Sequence, residues 1–174
     1  MGGTDKAGEE GGHSPRGTAS PADRARRLLC EKYYPSLLQL AALLSGDAVV
    51  AGAVVEDAFA AIPSTVLIGR SDDDCLRYLQ RLVLIRCRRA ARYRRMPAHR
   101  GRHAVSGFAR LPVVTALHGL PRTAREAVVL THYLELPPAQ AAALAGVSEA
   151  LLTANLATAM RAIDDQLIGL SPDS

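Results

Sequence analysis

The stretch "PPAQAAALAGVSEALLTANLATAM", residues 137–160, has the pattern of a helix-turn-helix. Prolines are tolerated in the first turn of a short helix, and Gly146 suits its end. Ser148 can cap a second helix that runs through Leu167. The apolar residues of that helix recur on one face at Leu152, Leu156, Ala159, Ile163 and Leu167. Two helices joined by a tight turn form the arrangement with which many proteins contact duplex DNA.

The outward face of the second helix carries no lysine or arginine between Val147 and Met160. Its candidate DNA-contact residues are Ser148, Thr153, Asn155 and Thr158. Asparagine can pair with an adenine edge and threonine with a phosphate, but the bidentate arginine–guanine contact, about 1–3 kcal/mol, is absent. We expect weak duplex binding by this helix alone. A three-helix bundle that does not touch DNA stays open as the alternative.

The stretch "CLRYLQRLVLIRCRRAARYRR" at residues 75–95 predicts a helix with two distinct faces. The core face is formed by Leu79, Leu82, Val83, Cys87 and Ala90. The cationic face is formed by Arg77, Arg81, Arg88, Arg92 and Arg95, with Arg89 beside them. Because a solvated face normally mixes acids with its arginines, a phosphate-binding face is favoured over a solvated face or a contact with an acidic partner. Ile85 on this face either contacts a base or packs against a neighbouring helix, and packing is slightly favoured.

The composition predicts an all-α protein, because aromatic residues make up 4% of the chain while alanine and leucine abound. Periodicity indicates a helix at 22–44, in one piece or divided near Pro35, and another at 48–62 that Pro63 ends. The stretch from Pro63 to Asp74 is interpreted as a loop. The C-terminal unit starts near Val113 with a turn that packs Leu117 and Leu120, followed by a helix from about Pro121 whose apolar face includes Ala124 and Ala127.

Two small helical domains are therefore expected, joined by a flexible linker. The N-terminal domain is placed at 22–96, the linker at 97–113 and the helix-turn-helix domain at 114–170. The linker lacks clear periodicity and is rich in Pro, Gly, His and Arg. Residues 1–21 have almost no apolar content, so we expect a disordered tail.

Neither an enzyme nor a metal site is indicated by the sequence. The 3 cysteines and 5 histidines are scattered, and no catalytic or metal-ligand spacing is found. There is no glycine-rich phosphate loop, so no cofactor is expected. We also find no signal peptide and no stretch of roughly 20 apolar residues, which predicts a cytoplasmic protein with no membrane contact.

The order of these parts resembles the extracytoplasmic-function (group IV) sigma factors of RNA polymerase, particularly the short actinobacterial kind. The resemblance covers about 22–167. It rests on "YYPSLLQLAALLSGD" at 33–47, "VVEDAFAAI" at 54–62, "YLQRLVLIRCRRAARYRR" at 78–95 and "LPRTAREAVVLTHYLELPPAQAAALAGVS" at 120–148.

The resemblance implies a division of labour between the two domains. The N-terminal domain, region two, would bind core RNA polymerase through Val55, Glu56, Asp57 and Phe59 and capture single-stranded promoter DNA through the 81–95 helix. The C-terminal domain, region four, would contact duplex promoter DNA through Thr153, Asn155 and Thr158. An anti-sigma protein is a further candidate partner.

Several contact positions depart from the family pattern. Gly52 and Ala53 replace the usual acidic pair, Glu56 replaces a glutamine, and Ile85 stands where a polar Asn is usual. The usual Lys and Arg of the reading helix are also missing. The leading hypothesis is a sigma-factor-like transcription initiation protein that depends more on region two. The rival is a sigma-shaped interaction protein that binds polymerase, a regulator or an anti-sigma partner without recognising promoters.

Overall fold

The computed structural model of the chain describes residues 20–93 and 112–168, and these are helical with no strand among them. The all-α prediction is confirmed. The helices are α1 (Pro21–Ser45), α2 (Ala48–Ala61), α3 (Ser64–Gly69), α4 (Asp72–Tyr93), α5 (Pro112–Gly119), α6 (Arg122–Val128), α7 (Pro138–Ala145) and α8 (Glu149–Ile168). A π-helical turn (Val129–Tyr133) continues α6.

The long helix α1 is one piece although it contains Pro35. At its start the Ser20 side chain accepts a hydrogen bond from the Asp23 backbone N–H, which satisfies one of the free donors of the first turn. At its end Gly46 adopts φ +73°, and its N–H donates to the Ala42 carbonyl. The sequence left open whether this helix is divided, and the structure settles it as continuous.

Helix α3 corrects the prediction that 63–74 is a loop. Its six residues bury Val66 and Leu67 against the rest of the core. The apolar run "TVLI" is too short for a helical period to be recognised, whereas burial of two side chains stabilises a helix of this length in the folded protein.

Helix α4 begins where Ser71 accepts a hydrogen bond from the Asp74 backbone N–H, and three aspartates occupy its first turn. Negative side chains are favourable there because the helix N-terminus carries partial positive charge. Leu79, Val83 and Cys87 are buried as predicted. Leu84, which periodicity did not place on the core face, is also buried.

Helices α7 and α8 form the predicted helix-turn-helix and meet at 101°. Gly146 takes φ +68° between them, a conformation that favours glycine. The Ser148 hydroxyl accepts a hydrogen bond from the Leu151 N–H at 3.2 Å, so the predicted cap is present. One element was missed: residues 112–119 form α5 where a turn was expected.

The N-terminal unit (α1–α4) packs directly against the C-terminal unit (α5–α8). Helix α1 contacts α5, α6 and the π-helical turn, while α4 contacts α7. Buried side chains of both units form one continuous apolar cluster. The predicted linker at 97–113 and the predicted tail at 1–21 lie almost entirely outside the described residues, so the division into two domains stays a prediction.

Candidate nucleic-acid surfaces and the cleft between the two units

The first candidate surface is a row of exposed side chains along α4. Arg77, Arg81, Arg89 and Arg92, which we call the arginine row, are exposed and recur at intervals that place them on one side of the helix. Arg77 lies 3.6 Å from Asp74. No carboxylate among the described residues pairs with Arg81, Arg89 or Arg92. The row is therefore a cationic strip, as the sequence predicted; Arg95 lies outside the described residues.

Ile85 lies inside the arginine row and is 46% exposed. The slightly favoured expectation that it packs against a neighbouring helix is not met among the described residues, where its side chain stays exposed. An exposed apolar side chain between guanidinium groups offers a surface for the face of a base or a sugar.

Arg88 belongs to the same side of α4 but points into the C-terminal unit. Its Nε lies 3.1 Å from both carboxylate oxygens of Glu126, and its Nη2 lies 2.7 Å from Oε2. Its Nη1 donates to the Ala145 carbonyl at 2.9 Å, at the negatively polarised end of α7. The Glu126 side chain is only 8% exposed. The predicted DNA-contact residue Arg88 is thus engaged within the protein.

A second polar contact joins the units at the end of α1. Arg125 donates to the Leu44 carbonyl at 3.0 Å and to carbonyls of its own unit, Leu117, His118 and Leu120. The His118 ring lies 3.3 Å from where a Cβ at Gly46 would stand. Burial, and then the neighbouring Arg125 guanidinium, lowers the pKa of His118.

Glu126, Arg125 and His118 were not identified from the sequence. One signal for Glu126 was present: it is the first acid after the acid-free stretch of 77–125. It also lies between Ala124 and Ala127, two positions assigned to the apolar face. A buried carboxylate requires a cationic partner, but the sequence does not say which of the many arginines provides it.

An open cleft of about 800 Å³ lies between α4 and the C-terminal unit. Arg88 and Arg92 line it from α4, Arg122 and Glu126 from α6, and Asn155 from α8. Asn155, predicted to contact bases, is half-buried and faces this cleft. One residue of each candidate surface, Arg92 of the arginine row and Asn155 of α8, therefore lines the cleft.

The remaining candidates on α8 are exposed but uncharged. The hydroxyl groups of Thr153 and Thr158 donate to carbonyls one turn back, Glu149 and Ala154, each at 2.9 Å. Ser148 is occupied as the helix cap. Arg161 is the sole cation along the described part of α8. These positions are accessible to a partner but offer it no positive charge.

The four candidate polymerase-binding residues on α2 divide into two pairs. Val55 and Phe59 are buried, and the Phe59 ring stacks on Tyr34 at 6.4 Å between centroids. Glu56 and Asp57 are exposed. Direct contact with polymerase is therefore expected only from Glu56 and Asp57, because Val55 and Phe59 are buried in the core of their own unit.

Among the described residues no group of three or more His, Cys, Asp or Glu side chains could hold a metal ion. Burial raises the pKa of Cys87 to about 12, which keeps it a thiol. As to membranes, no single described helix combines the length and apolar character of a span; only α7 and α8 taken together, with their bend, reach that composition.

Comparison with known proteins gives one likeness of fold. No protein-family model matches the chain, and no curated protein matches it. The structure of CnrH in complex with the cytosolic domain of CnrY superposes with a TM-score of 0.61 and 23% sequence identity. The match covers 87% of this chain and 97% of that one. Since CnrH is an extracytoplasmic-function sigma factor, this chain has a sigma-like fold.

Proposed function

We propose that this chain is a sigma-factor-like protein that binds core RNA polymerase and directs it to promoters. The observation that carries the proposal is the arginine row on α4, displayed on a sigma-like fold. From residue 77 to residue 92 the row extends along about 22 Å of helix, at 1.5 Å per residue. A strip of this length contacts several successive phosphates of a single strand.

Single-stranded promoter DNA is the proposed ligand of the arginine row. Each phosphate neutralised by an arginine releases counterions, and the slope of log K against log salt is about −0.7 per contact for single strands. Four contacts give a slope of about −3. Ile85 within the row contributes an apolar contact with a base, in place of the aromatic platforms that other single-strand binders use.

Core RNA polymerase is the proposed partner of α2. Glu56 and Asp57 are exposed side by side and have no ion-pair partner among the described residues. Two adjacent carboxylates suit a basic surface. Val55 and Phe59, buried beneath them, fix the position of α2 on the core.

A second candidate function is an interaction protein with a sigma fold that does not recognise promoters. The exposed face of α8 favours it, because with one arginine and three acids that face contacts neither guanine edges nor phosphates strongly. The likeness to CnrH, which is known in complex with the cytosolic domain of CnrY, suggests an anti-sigma-like protein as a partner for this candidate.

The first experiment is co-purification with core RNA polymerase. The charge reversal E56K/D57K should abolish the complex, whereas E31K, a reversal at an exposed acid on α1, should retain it. Retention of the complex by both variants contradicts the α2 surface. Failure of the unaltered chain to bind polymerase contradicts both the sigma function and the polymerase-binding form of the alternative.

A further inference from the structure

We propose that the ion pair between Arg88 and Glu126 holds the two units closed and competes directly with DNA. In the closed form the Arg88 guanidinium pairs with Glu126. In the open form it pairs with a phosphate of the bound strand instead. The inference rests on the proposed function of the arginine row. It adds that the C-terminal unit of the same chain regulates DNA binding by the arginine row.

The competition follows from the position of Arg88. It lies on the same side of α4 as Arg81 and Arg92, next to Arg89 in the C-terminal part of the cationic strip. All three of its guanidinium nitrogens donate to the C-terminal unit in the closed form. Carboxylate and phosphate both accept bidentate hydrogen bonds from arginine, so one guanidinium cannot serve both in this geometry.

Closure also removes Asn155 from contact with DNA. Asn155 lines the cleft opposite Arg88 and Arg92. The volume of the cleft, about 800 Å³, lies within the range of small-molecule sites, about 300–1,000 Å³. A DNA segment of several nucleotides is larger than this, so the units must separate before α8 and α4 contact DNA together.

Opening leaves the charged groups with partners. Glu126 keeps Arg122 of its own helix, whose Nε lies 3.7 Å from Oε1. Arg125 keeps its three carbonyl partners within the C-terminal unit and loses only Leu44. Neither Glu126 nor Arg125 is left without a partner, a situation that would otherwise oppose opening. The Arg88–Glu126 pair and the shared apolar cluster both favour closure in the absence of a ligand, while the contacts that remain within the C-terminal unit permit opening.

The test measures binding of the full chain to a labelled single-stranded oligonucleotide by fluorescence anisotropy, together with the radius of gyration by small-angle X-ray scattering. E126Q keeps the shape of the side chain and removes its charge. We expect about tenfold tighter binding, a typical allosteric coupling, and a larger radius of gyration without DNA. The matched control E31Q removes an exposed acid on α1 and should change neither quantity.

A second pair of variants covers the case in which E126Q folds poorly. R88E should separate the units and weaken DNA binding. The exchanged pair R88E/E126R should restore the compact radius but not the DNA affinity, because α4 still lacks its cation. If the exchanged pair stays as expanded as R88E, the ion pair does not hold the units together.

Two results separate this inference from the proposed function. If R81E weakens DNA binding but E126Q binds no more tightly than E31Q, the arginine row stands and the competition is contradicted. If R81E binds DNA as well as the unaltered chain, the row itself is contradicted. In that case scattering of E126Q alone still decides whether the ion pair closes the molecule.

Discussion

Helices α4 and α8 have similar lengths and are the two candidate DNA-contact helices, yet their exposed faces differ sharply. Helix α4 displays four exposed arginines and one exposed isoleucine after its acidic first turn, whereas the described part of α8 displays one exposed arginine, three exposed acids and otherwise uncharged side chains. Their inner faces are alike, with Leu79 in α4 and Leu152 in α8 both buried. A helix can keep its place in a fold through its core positions while its contact chemistry changes.

Two core substitutions test whether the inner faces of α4 and α8 contribute equally to the free energy of unfolding. L79A and L152A each remove a buried side chain and should lower the free energy of unfolding by about 2–5 kcal/mol. L151A, at a half-exposed position on α8, should change it by about 0.5 kcal/mol or less. Urea denaturation followed by circular dichroism measures all three. An L152A effect as small as that of L151A would mean that α8 is not anchored as described.

Charge reversals test whether the exposed faces of α4 and α8 differ in their contribution to single-strand binding. The double reversal R81E/R89E on α4 should weaken single-strand binding about a hundredfold and flatten its salt dependence, because two phosphate contacts become repulsive. R161E on α8 should change it less than about threefold, since a single exposed charge contributes little at moderate salt. Anisotropy titrations at several salt concentrations provide the comparison, with R24E/R27E at two exposed positions of α1 as the control for the same change in net charge. Equal losses in all variants would indicate a nonspecific effect of charge.

A gain-of-function change removes the difference between the helices. T153K/T158R adds two cations to the exposed face of α8 and should raise duplex affinity about tenfold, with a steeper salt slope of about −2. The same charges at A60K/A61R, two exposed positions of α2, control for net charge. If both variants gain equally, α8 has no special access to duplex DNA.

The smallest effect concerns His118, which lies where α1 meets the C-terminal unit. The groups facing it are Arg125 and the carbonyls of Ala42 and Leu43 at the end of α1. Burial lowers its pKa in the closed form, so closure releases a proton below about pH 6.5. The closed form should be fully favoured above that pH and lose stability as the pH falls through the lowered pKa. Scattering at pH 7.5 and 5.5 should show slight expansion, and H118Q should remove the pH dependence.

Local patterns in the sequence predicted much of this structure. The faces of α4, the Gly146 turn and the Ser148 cap depend on residues close in the chain, so periodicity and capping rules identify them. Helix α3 was missed because its six residues are too few for a period. The Arg88–Glu126 pair joins residues 38 positions apart, and no local rule selects Arg88 from the neighbouring arginines. Ile85 was misjudged since its exposure depends on which helices pack beside α4.

The most direct test of the central claim is transcription by core RNA polymerase supplemented with this chain on a genomic promoter library. We expect transcripts that begin at a defined set of promoters, that are lost with R81E/R89E and that persist with the charge-matched control R24E/R27E. Polymerase binding without promoter-dependent transcripts would contradict the sigma function and support the interaction protein instead. Transcripts that persist with R81E/R89E would contradict the role of α4.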